Sequence, residues 1–340
     1  MRFLRACRLE PVDATPVWFM RQAGRYMPQY RRLREKCSIL ELCERPELAA
    51  EVTLQPVREF GVDAAILFAD LLLPARPMGV QVEFLKGEGP SLTPPVRTAK
   101  DIERLRVFDP EEGRGFVLEA IRILRRELEG KVPLIGFAGA PFTLASYLIE
   151  GGPSKDYLKT KTMMHSAPEL WHGLMTKLCV VTAAFLKAQA KAGAQALQLF
   201  DSWAGALSRR DYARFAAPYS KRILREAAKA NVPLIHFGTG TAPFLEEFAG
   251  AGGSVVGVDW RLPLDEAWRR VGRSKAIQGN LDPAALFYGR KRLAREVREV
   301  LRQAGGRKGH IFNLGHGILQ HTPVDSVRAV TDWVHEWSAR

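Results

Sequence analysis

The chain of 340 residues contains little cysteine and no long hydrophobic run. Its four cysteines form no Cys-x-x-Cys pair, so neither a disulfide framework nor a zinc ribbon is expected, and a reducing compartment fits. No stretch approaches the roughly 18 apolar residues that a membrane span needs. Arg2, Arg5 and Arg8 interrupt the apolar start of the sequence, which argues against a signal peptide. These absences predict a cytoplasmic protein that does not enter a membrane.

Several functional signatures are also missing. No glycine-rich dinucleotide fingerprint follows the first predicted strand, where Arg21-Gln22-Ala23-Gly24-Arg25 stands instead. The seven histidines show no metal-ligand spacing. Ser202 is not part of a Gly-x-Ser-x-Gly elbow, so it is not expected to be a nucleophile. We therefore expect neither a metal nor a cofactor.

Charge of one sign is in excess, with 50 Lys+Arg against 37 Asp+Glu and a formal net charge of +13. Such an excess is compatible with nucleic acid, an acidic membrane surface or a polyanionic small molecule as the partner. The densest basic run, 290–307, is mixed with Glu296 and Glu299 on a predicted helix. A nucleic-acid surface would need a basic stripe with interleaved aromatics, so we interpret this run as a solvated helix face.

Short apolar runs that alternate with helical patterns predict the fold. Most of these runs are continuously apolar, which is typical of parallel strands buried on both faces. Eight strands alternating with helices match a (β/α)8 TIM barrel, with a doubly wound sheet as the alternative. Because no linker divides the chain, we expect an α/β fold with a single TIM-barrel domain over 1–340. The predicted strands are 17–20, 64–68, 134–137, 196–200, 234–237, 255–258, 276–278 and 310–314.

Two segments between these strands differ from the rest. Residues 78–98 are rich in Gly and Pro and predict a hairpin, and the polar residues 150–162 predict a mobile loop. The predicted helices are 46–60, 110–129, 168–192, 210–230, 241–248, 264–271, 283–303 and 323–338.

In such a barrel, functional residues lie on the loops that follow the strands. Arg21 comes directly after the first apolar run, so it is expected at the rim of the pocket, and Arg25 is interpreted in the same way. A guanidinium there suits the binding of a carboxylate or a phosphate. Arg31 and Arg32 are assigned to the surface.

Other candidates follow later strands. Asp70 closes the second apolar run, where a carboxylate is costly unless it is paired or used, although it can also cap a helix or form a salt bridge. His316 lies between two glycines, and both it and Tyr147 have structural roles as the alternative. Asp201 and Asp259 end strands, where either can cap a turn. Together these residues indicate an enzyme for an anionic substrate without naming its reaction.

A resemblance to a known family extends this interpretation. Residues 16–28, Pro-Val-Trp-Phe-Met-Arg-Gln-Ala-Gly-Arg-Tyr-Met-Pro, closely resemble the N-terminal signature of the uroporphyrinogen decarboxylase family. Residues 136–147 resemble its second signature, and 200–202, 279–283 and 313–318 match further blocks in the same order. The resemblance covers essentially the whole chain, and its first motif is long and rare.

The resemblance implies a cofactor-independent carboxy-lyase of tetrapyrrole and haem biosynthesis. Such an enzyme is a single-domain barrel, usually a homodimer, and converts the four acetate side chains of uroporphyrinogen III to methyls, which gives coproporphyrinogen III. The polyanionic tetrapyrrole is then the partner. The related methyltransferases hold zinc with His and Cys near the later strands, but here the last cysteine is Cys179, so that ligand set is missing.

The resemblance also assigns roles to individual residues. Arg21 and Arg25, with Arg34 as a further contributor, bind substrate carboxylates, and Asp70 faces the pyrrole NH groups. The remaining substrate-binding positions that we assign on this basis are Phe137, Tyr147, Phe200, Ser202 and His316. The catalytic candidates are Asp70, Arg21, Tyr147 and His316.

Pyrrole chemistry is consistent with these roles. A pyrrole protonated on a ring carbon accepts the electron pair left by CO2, and an anion such as Asp70 stabilises the resulting cation. Either Asp70 or Arg21 can be the proton source, since a carboxyl needs a raised pKa for this task and a guanidinium is a weak acid. The sequence fixes neither the order of the four decarboxylations nor the isomer preference.

Overall fold

The structure, a computed structural model, describes residues 1–85 and 89–340. Seven strands of this part form one parallel sheet in the order β1-β4-β5-β6-β7-β8-β9, and β2 pairs with β3 in an antiparallel hairpin. The strands are β1 (Ala65–Ile66), β2 (Gln81–Leu85), β3 (Gly89–Thr93), β4 (Leu134–Gly139), β5 (Ala196–Asp201), β6 (Leu234–Gly238), β7 (Val255–Gly257), β8 (Ala276–Gln278) and β9 (His310–Ile311).

Helices follow most of the sheet strands. They are α1 (Arg2–Cys7), α2 (Pro28–Lys36), α3 (Ile39–Glu44), α4 (Pro46–Phe60), α5 (Ala99–Arg104), α6 (Pro110–Glu127), α7 (Pro141–Glu150), α8 (Leu158–Ser166), α9 (Pro168–Ala192), α10 (Arg209–Asp211), α11 (Ala217–Ala227), α12 (Leu245–Gly250), α13 (Leu264–Val271), α14 (Arg290–Ala304) and α15 (Val324–Ser338). Short 3-10 helices span Leu73–Ala75, Ala204–Ala206, Ala228–Ala230, Ala242–Phe244 and Pro283–Phe287, and a π-helical turn spans Tyr212–Ala216.

The local sequence explains these elements. Strands β4 and β6 are buried at every residue, as expected for parallel strands covered on both faces. Helices α4, α6, α7 and α9 each begin with proline, whose fixed φ suits a first turn and whose missing N–H is not needed there. Gly61 ends α4 with a φ of 63°, a conformation that glycine adopts without strain. The expected α/β barrel class is confirmed.

The first predicted strand, 17–20, is wrong as a strand. Only Val17 pairs, through a parallel bridge to Phe312, and its carbonyl accepts a hydrogen bond from the Asp63 N–H at 2.8 Å. Phe312 follows β9 and Asp63 precedes β1, so a few backbone hydrogen bonds from residues 16–18 link the two edges of the sheet. The sheet therefore has seven strands in the described residues, and a non-strand segment stands in the eighth position.

Side chains explain why that segment does not continue as a strand. The Phe19 N–H donates to the Gln22 Oε1 at 3.1 Å, and the Met20 N–H donates to the Asn313 Oδ1 at 3.1 Å. Because these backbone donors are bound by side chains, they are not available to a neighbouring strand.

Two further predictions need correction, and one is confirmed. The predicted helix 283–303 is divided, because Gly289 is extended and separates a 3-10 turn from α14. The predicted loop 150–162 is shorter, because the Glu150 carboxylate accepts hydrogen bonds from the Thr160 N–H and hydroxyl at 2.9 and 2.8 Å, in the first turn of α8. The predicted hairpin is present as β2 and β3, although its turn lies outside the described residues.

The basic run 290–307 lies mainly on α14, as expected. Arg292 pairs with Glu296 at 2.7 Å, and the guanidinium of Arg298 lies 4.0 Å from the centre of the Trp337 ring on α15. These contacts match the interpretation of a solvated helix face. Among the described residues, no helix combines the length and apolar character that crossing a bilayer requires.

A carboxylate beneath the sheet edge should contribute strongly to stability. Asp63 accepts from the Val17 N–H at 2.8 Å and contacts Arg2 at 3.1 Å and His335 at 2.7 Å, with its side chain 11% exposed. We expect Asp63→Ala to lower the free energy of unfolding by about 3 kcal/mol, because the Val17 N–H and the partly buried side chains of Arg2 and His335 lose their acceptor. Urea unfolding measures the change. Asp13→Ala, at a side chain 67% exposed, is the control, with an expected loss below about 1 kcal/mol, and equal losses would contradict the assignment.

Candidate active site

The main candidate residues meet at the ends of the strands. Arg21 lies close enough to Asp70, Tyr147 and His316 for its charge to lower the pKa of all three groups. Asp70 follows β1, Tyr147 lies on the helix after β4, and His316 follows β9. The structure thus brings together all four residues that the sequence selected as catalytic candidates.

Arg21 has an unusual backbone conformation for a residue with a side chain. Its φ is 58°, in the left-handed region, and the residues around it hold it there. The Asn313 Oδ1 accepts from the Met20 N–H, and the Met20 carbonyl accepts from the Ile318 N–H at 2.9 Å. Gly317 lies against the guanidinium stem, where a Cβ would stand 2.4 Å from the Arg21 Cδ. The chain therefore turns sharply and directs Arg21 across the loop that carries His316.

Asp70 is enclosed by protein but keeps part of its surface accessible. Its Oδ1 accepts a hydrogen bond from the Leu72 N–H at 2.8 Å, which caps the turn before the 3-10 helix Leu73–Ala75. Burial raises the pKa of Asp70, while that hydrogen bond and then Arg21 oppose the shift. The described residues include no ion pair for this carboxylate. The capping hydrogen bond therefore occupies the Oδ1 of Asp70, and the other carboxylate oxygen remains available to a bound molecule.

A row of aromatic rings crosses neighbouring strands. Phe137 on β4, Phe200 on β5 and Phe237 on β6 meet edge to face, with centroid distances of 5.5 and 5.7 Å. The imidazole of His316 continues the row, 6.2 Å from Phe237. Edge-to-face packing places successive rings at steep angles and creates a continuous apolar cluster along the strands. We call these four side chains the aromatic row.

Tyr147 stacks against Trp203, with ring centroids 3.8 Å apart. Burial raises the pKa of Tyr147, and the charge of Asp70 raises it further. The phenol is therefore neutral at physiological pH and can donate a hydrogen bond.

His316 is half-buried, and burial followed by the charge of Arg21 lowers its pKa to about 4. Its imidazole is consequently neutral near pH 7. The Nδ1 atom is buried and has no hydrogen-bond partner among the described residues.

The other predicted contacts lie further out. Arg25 is exposed, and its carbonyl accepts from the Arg31 Nη1 at 3.1 Å, so the surface residue Arg31 also orders this segment. Arg34 donates to the Cys37 carbonyl and lies near Cys43, a thiol whose pKa is raised by burial and then by the charge of Asp70, while Arg34 lowers it. Arg34 is therefore on the same side of the barrel as Asp70.

Ser202 and Asp259 form hydrogen bonds that stabilise the loops at the ends of the strands. The half-buried Ser202 accepts a hydrogen bond at its carbonyl from the Thr239 hydroxyl. Asp259 accepts from the Gly240 N–H at 2.6 Å and the Arg261 N–H at 3.1 Å, which confirms a capping role.

Sequence reasoning missed a polar chain inside the barrel. The Trp18 indole donates to the Gln278 Oε1 at 3.0 Å, and the Gln278 amide donates to the Gln198 Oε1 at 3.1 Å. Gln278 lies on β8 and Gln198 on β5, within otherwise apolar strands. A glutamine inside a continuously apolar run is the signal that could have revealed it, because a buried amide needs partners.

The barrel and its loops define a class of protein: (β/α)-barrel proteins in which arginine, carboxylate and imidazole meet at one end of an aromatic row. Within the described ranges, no group of three or more His, Cys, Asp and Glu residues is arranged to hold a metal ion. The chain belongs to the uroporphyrinogen decarboxylase (URO-D) family, whose sequence profile matches residues 1–337.

Individual relatives are similar over nearly their full length. The uroporphyrinogen decarboxylase of Sorangium cellulosum is 62% identical over 334 residues, covering 98% of this chain and 95% of the relative. That of Carboxydothermus hydrogenoformans is 56% identical over 337 residues, covering 99% and 96%.

Solved structures are similar at the level of the fold. A methyltransferase from Methanosarcina mazei superposes with a TM-score of 0.78 over 99% of this chain and 98% of that one, at 22% identity. A B12-independent methionine synthase from Shewanella sp. W3-18-1 has a TM-score of 0.60 over 86% and 88%, at 10% identity. At such identities the likeness shows the fold alone.

The neutral state of His316 predicts a pH effect on stability. The unfolded state takes up the proton near pH 6.5, whereas the folded state stays neutral until about pH 4, so stability is lost as the pH falls through this window. We expect His316→Asn to remove about 1–2 kcal/mol of the stability difference between pH 7 and pH 5. Chemical unfolding at the two pH values measures it, and an unchanged difference would contradict a buried neutral imidazole.

Proposed function

We propose that this chain is a uroporphyrinogen decarboxylase, a carboxy-lyase of tetrapyrrole and haem biosynthesis. The observation that carries the proposal is the 62% identity to a uroporphyrinogen decarboxylase across 98% of the chain. The reaction removes CO2 from the four acetate side chains of uroporphyrinogen III and gives coproporphyrinogen III. The site is consistent with a flat, apolar ring that carries many carboxylates.

Substrate binding divides between charge and apolar contact. Arg21, Arg25 and Arg34 bind substrate carboxylates, since a guanidinium offers donors in the geometry of a carboxylate. Phe137 and Phe200 in the aromatic row pack against a face of the macrocycle. Tyr147, Ser202 and His316 complete the contacts.

Asp70 is the central group of the proposed reaction. The pyrrole N–H groups converge at the centre of the macrocycle and can donate to one carboxylate, which offers several lone pairs. A guanidinium holds its proton too tightly to be an effective acid, whereas burial raises the pKa of Asp70 above its usual value. We therefore favour Asp70 over Arg21 as the acid, and the carboxylate that remains faces the cation formed.

The electron balance requires no cofactor. A proton added to a ring carbon makes the pyrrole a cation, and the C–C bond to the carboxylate then breaks. CO2 leaves, and the bonding electrons neutralise the ring as an exocyclic methylene. A second proton converts this methylene to a methyl, and loss of the ring proton restores the pyrrole. One proton is consumed for each CO2 released.

Three further properties belong to the proposal. Residues 1–340 form one domain, since no composition break divides the chain. The protein acts in the cytoplasm, which fits four cysteines without a Cys-x-x-Cys pair. It works as a homodimer, a property that rests on the family resemblance.

The activity can be tested directly. Purified protein incubated anaerobically with uroporphyrinogen III should yield heptacarboxylate to tetracarboxylate porphyrins, measured by chromatography after oxidation. Heat-denatured protein is the control for spontaneous reaction, and circular dichroism confirms that the sample is folded. Absence of these products from folded protein would refute the proposal, and strong inhibition by an added chelator would favour a zinc-dependent alternative.

The variant Asp70→Asn tests the role of the carboxyl group while keeping the shape of the side chain. The amide keeps an oxygen that can accept from the Leu72 N–H, so the loop should retain its conformation. We expect turnover to fall at least about 100-fold, because the variant can neither donate the proton nor stabilise the cation. Steady-state kinetics and the melting temperature are measured together, with Asp13→Asn at an exposed carboxylate as the control. Near-normal turnover would remove Asp70 from the mechanism.

A further inference from the structure

Asp201 is fully buried between two proposed contact residues but faces away from them. It ends β5, between Phe200 in the aromatic row and Ser202. Successive side chains of a strand point to opposite faces, so Asp201 points away from the side on which Phe200 meets Phe137 and Phe237. Its Oδ1 instead accepts a hydrogen bond from the Thr143 hydroxyl at 3.0 Å. The carboxyl thus reaches α7, the helix that carries Tyr147.

Thr143 links this carboxyl to the mouth of the barrel. A hydroxyl has one proton to donate, and donation to Asp201 leaves its lone pairs free to accept. The Trp203 N–H donates to the same oxygen at 3.3 Å. The Asp201 carboxyl therefore orients the hydroxyl so that it can hold the backbone of Trp203.

Aromatic stacking connects Trp203 to the proposed contact residue Tyr147. Trp203 stacks on Tyr147 with centroids 3.8 Å apart, and Tyr147 lies four residues after Thr143, on the same face of α7. Thr143 and Asp201 are both fully buried, so water does not compete for their hydrogen bond.

We propose that Asp201 and Thr143 are positioning residues that fix Tyr147 and Trp203 at the mouth of the barrel. The inference rests on the proposed function, in which Tyr147 contacts the substrate. Neither residue touches the substrate itself, and both act through the Thr143 hydroxyl. They extend the site to a layer between β5 and the helices α7 and α11.

The cost of burying Asp201 supports a specific role. Its Oδ2 has no hydrogen-bond partner among the described residues, and burial raises its pKa to about 7. The buried hydroxyl of Ser220 on α11 lies near enough to this carboxyl to oppose the rise in its pKa, and burial and then the charge of Asp201 raise the pKa of Tyr212 in the π-helical turn. A carboxyl in such surroundings destabilises the fold, so its presence indicates a role beyond stability. In either protonation state the Oδ1 can accept from Thr143, so the proposed linkage needs only the acceptor.

Two substitutions at Thr143 separate the hydrogen bonds from packing. Thr143→Val keeps the shape but removes the hydroxyl, and we expect kcat/KM for uroporphyrinogen III to fall about tenfold, because a small misplacement of a contacting group is costly. Thr143→Ser restores the hydroxyl and should restore kcat/KM to within about twofold of the wild type. Thr331→Val on α15 is the matched control, since it also removes a buried hydroxyl, and it should leave kcat/KM unchanged. Thr143→Ala replaces Thr143→Val if the latter does not fold.

Substitutions of Asp201 and a spectroscopic measurement complete the test. Asp201→Asn keeps an acceptor for Thr143 and should retain most of the activity, whereas Asp201→Leu should behave like Thr143→Val. Near-ultraviolet circular dichroism reports the Tyr147–Trp203 stack without turnover, and it should change in Thr143→Val but not in Thr143→Ser. Wild-type kcat/KM and an unchanged spectrum in Thr143→Val would overturn the inference, as would equal losses in the Val and Ser variants. An inactive wild type would refute only the proposed function, because the spectra still test the positioning role.

Discussion

The closure of the barrel at Val17 is the constraint on which the site depends. Residues 16–18 join the two edges of the sheet through a few backbone hydrogen bonds, and Gln22 and Asn313 bind the backbone donors that a strand would use after Trp18. These contacts hold the Arg21 backbone at a φ of 58°, which a residue other than glycine adopts only when its surroundings enforce it. The same segment therefore closes the sheet and directs Arg21 into the mouth of the barrel.

Burial determines the protonation preferences of the residues around Arg21. Enclosure by protein disfavours charge, which raises the pKa values of Asp70 and Tyr147 and lowers that of His316. Arg21 opposes the shift at both acidic groups and reinforces it at the imidazole. The result is a site in which the positive charge of Arg21 faces groups whose charged forms are disfavoured by burial, an arrangement suited to receiving an anionic ligand.

Fold and sequence similarity support different conclusions. Solved structures at 22% and 10% identity share the barrel, and a barrel of this kind supports many chemistries. Full-length identity of 62% to a uroporphyrinogen decarboxylase narrows the possibilities to one family. The net charge of +13 is less informative than it first suggests, because arginines on α14 pair with glutamates or stack on tryptophans, whereas Arg21 acts on three groups in the mouth.

The sequence by itself determined the order of elements and the main site residues. Continuous apolar runs identified the strands of the sheet, because burial on both faces leaves a local pattern, and the helices 46–60, 168–192 and 264–271 have the predicted bounds. Motif similarity selected Arg21, Asp70, Tyr147 and His316, which the structure brings together. Segment 17–20 was predicted wrongly, because its pattern is that of a strand while the N–H groups of Phe19 and Met20 donate to side chains.

Only the tertiary structure decided the contacts between residues far apart in the chain. Met20 meets Asn313 across 293 positions, and Thr143 meets Asp201 across 58. No local period records such pairs, because a side-chain hydrogen bond depends on where two elements are placed and not on the residues beside either partner. For the same reason Asp201 reads as a turn cap in the sequence, whereas in the folded barrel it binds a helix that comes before its own strand.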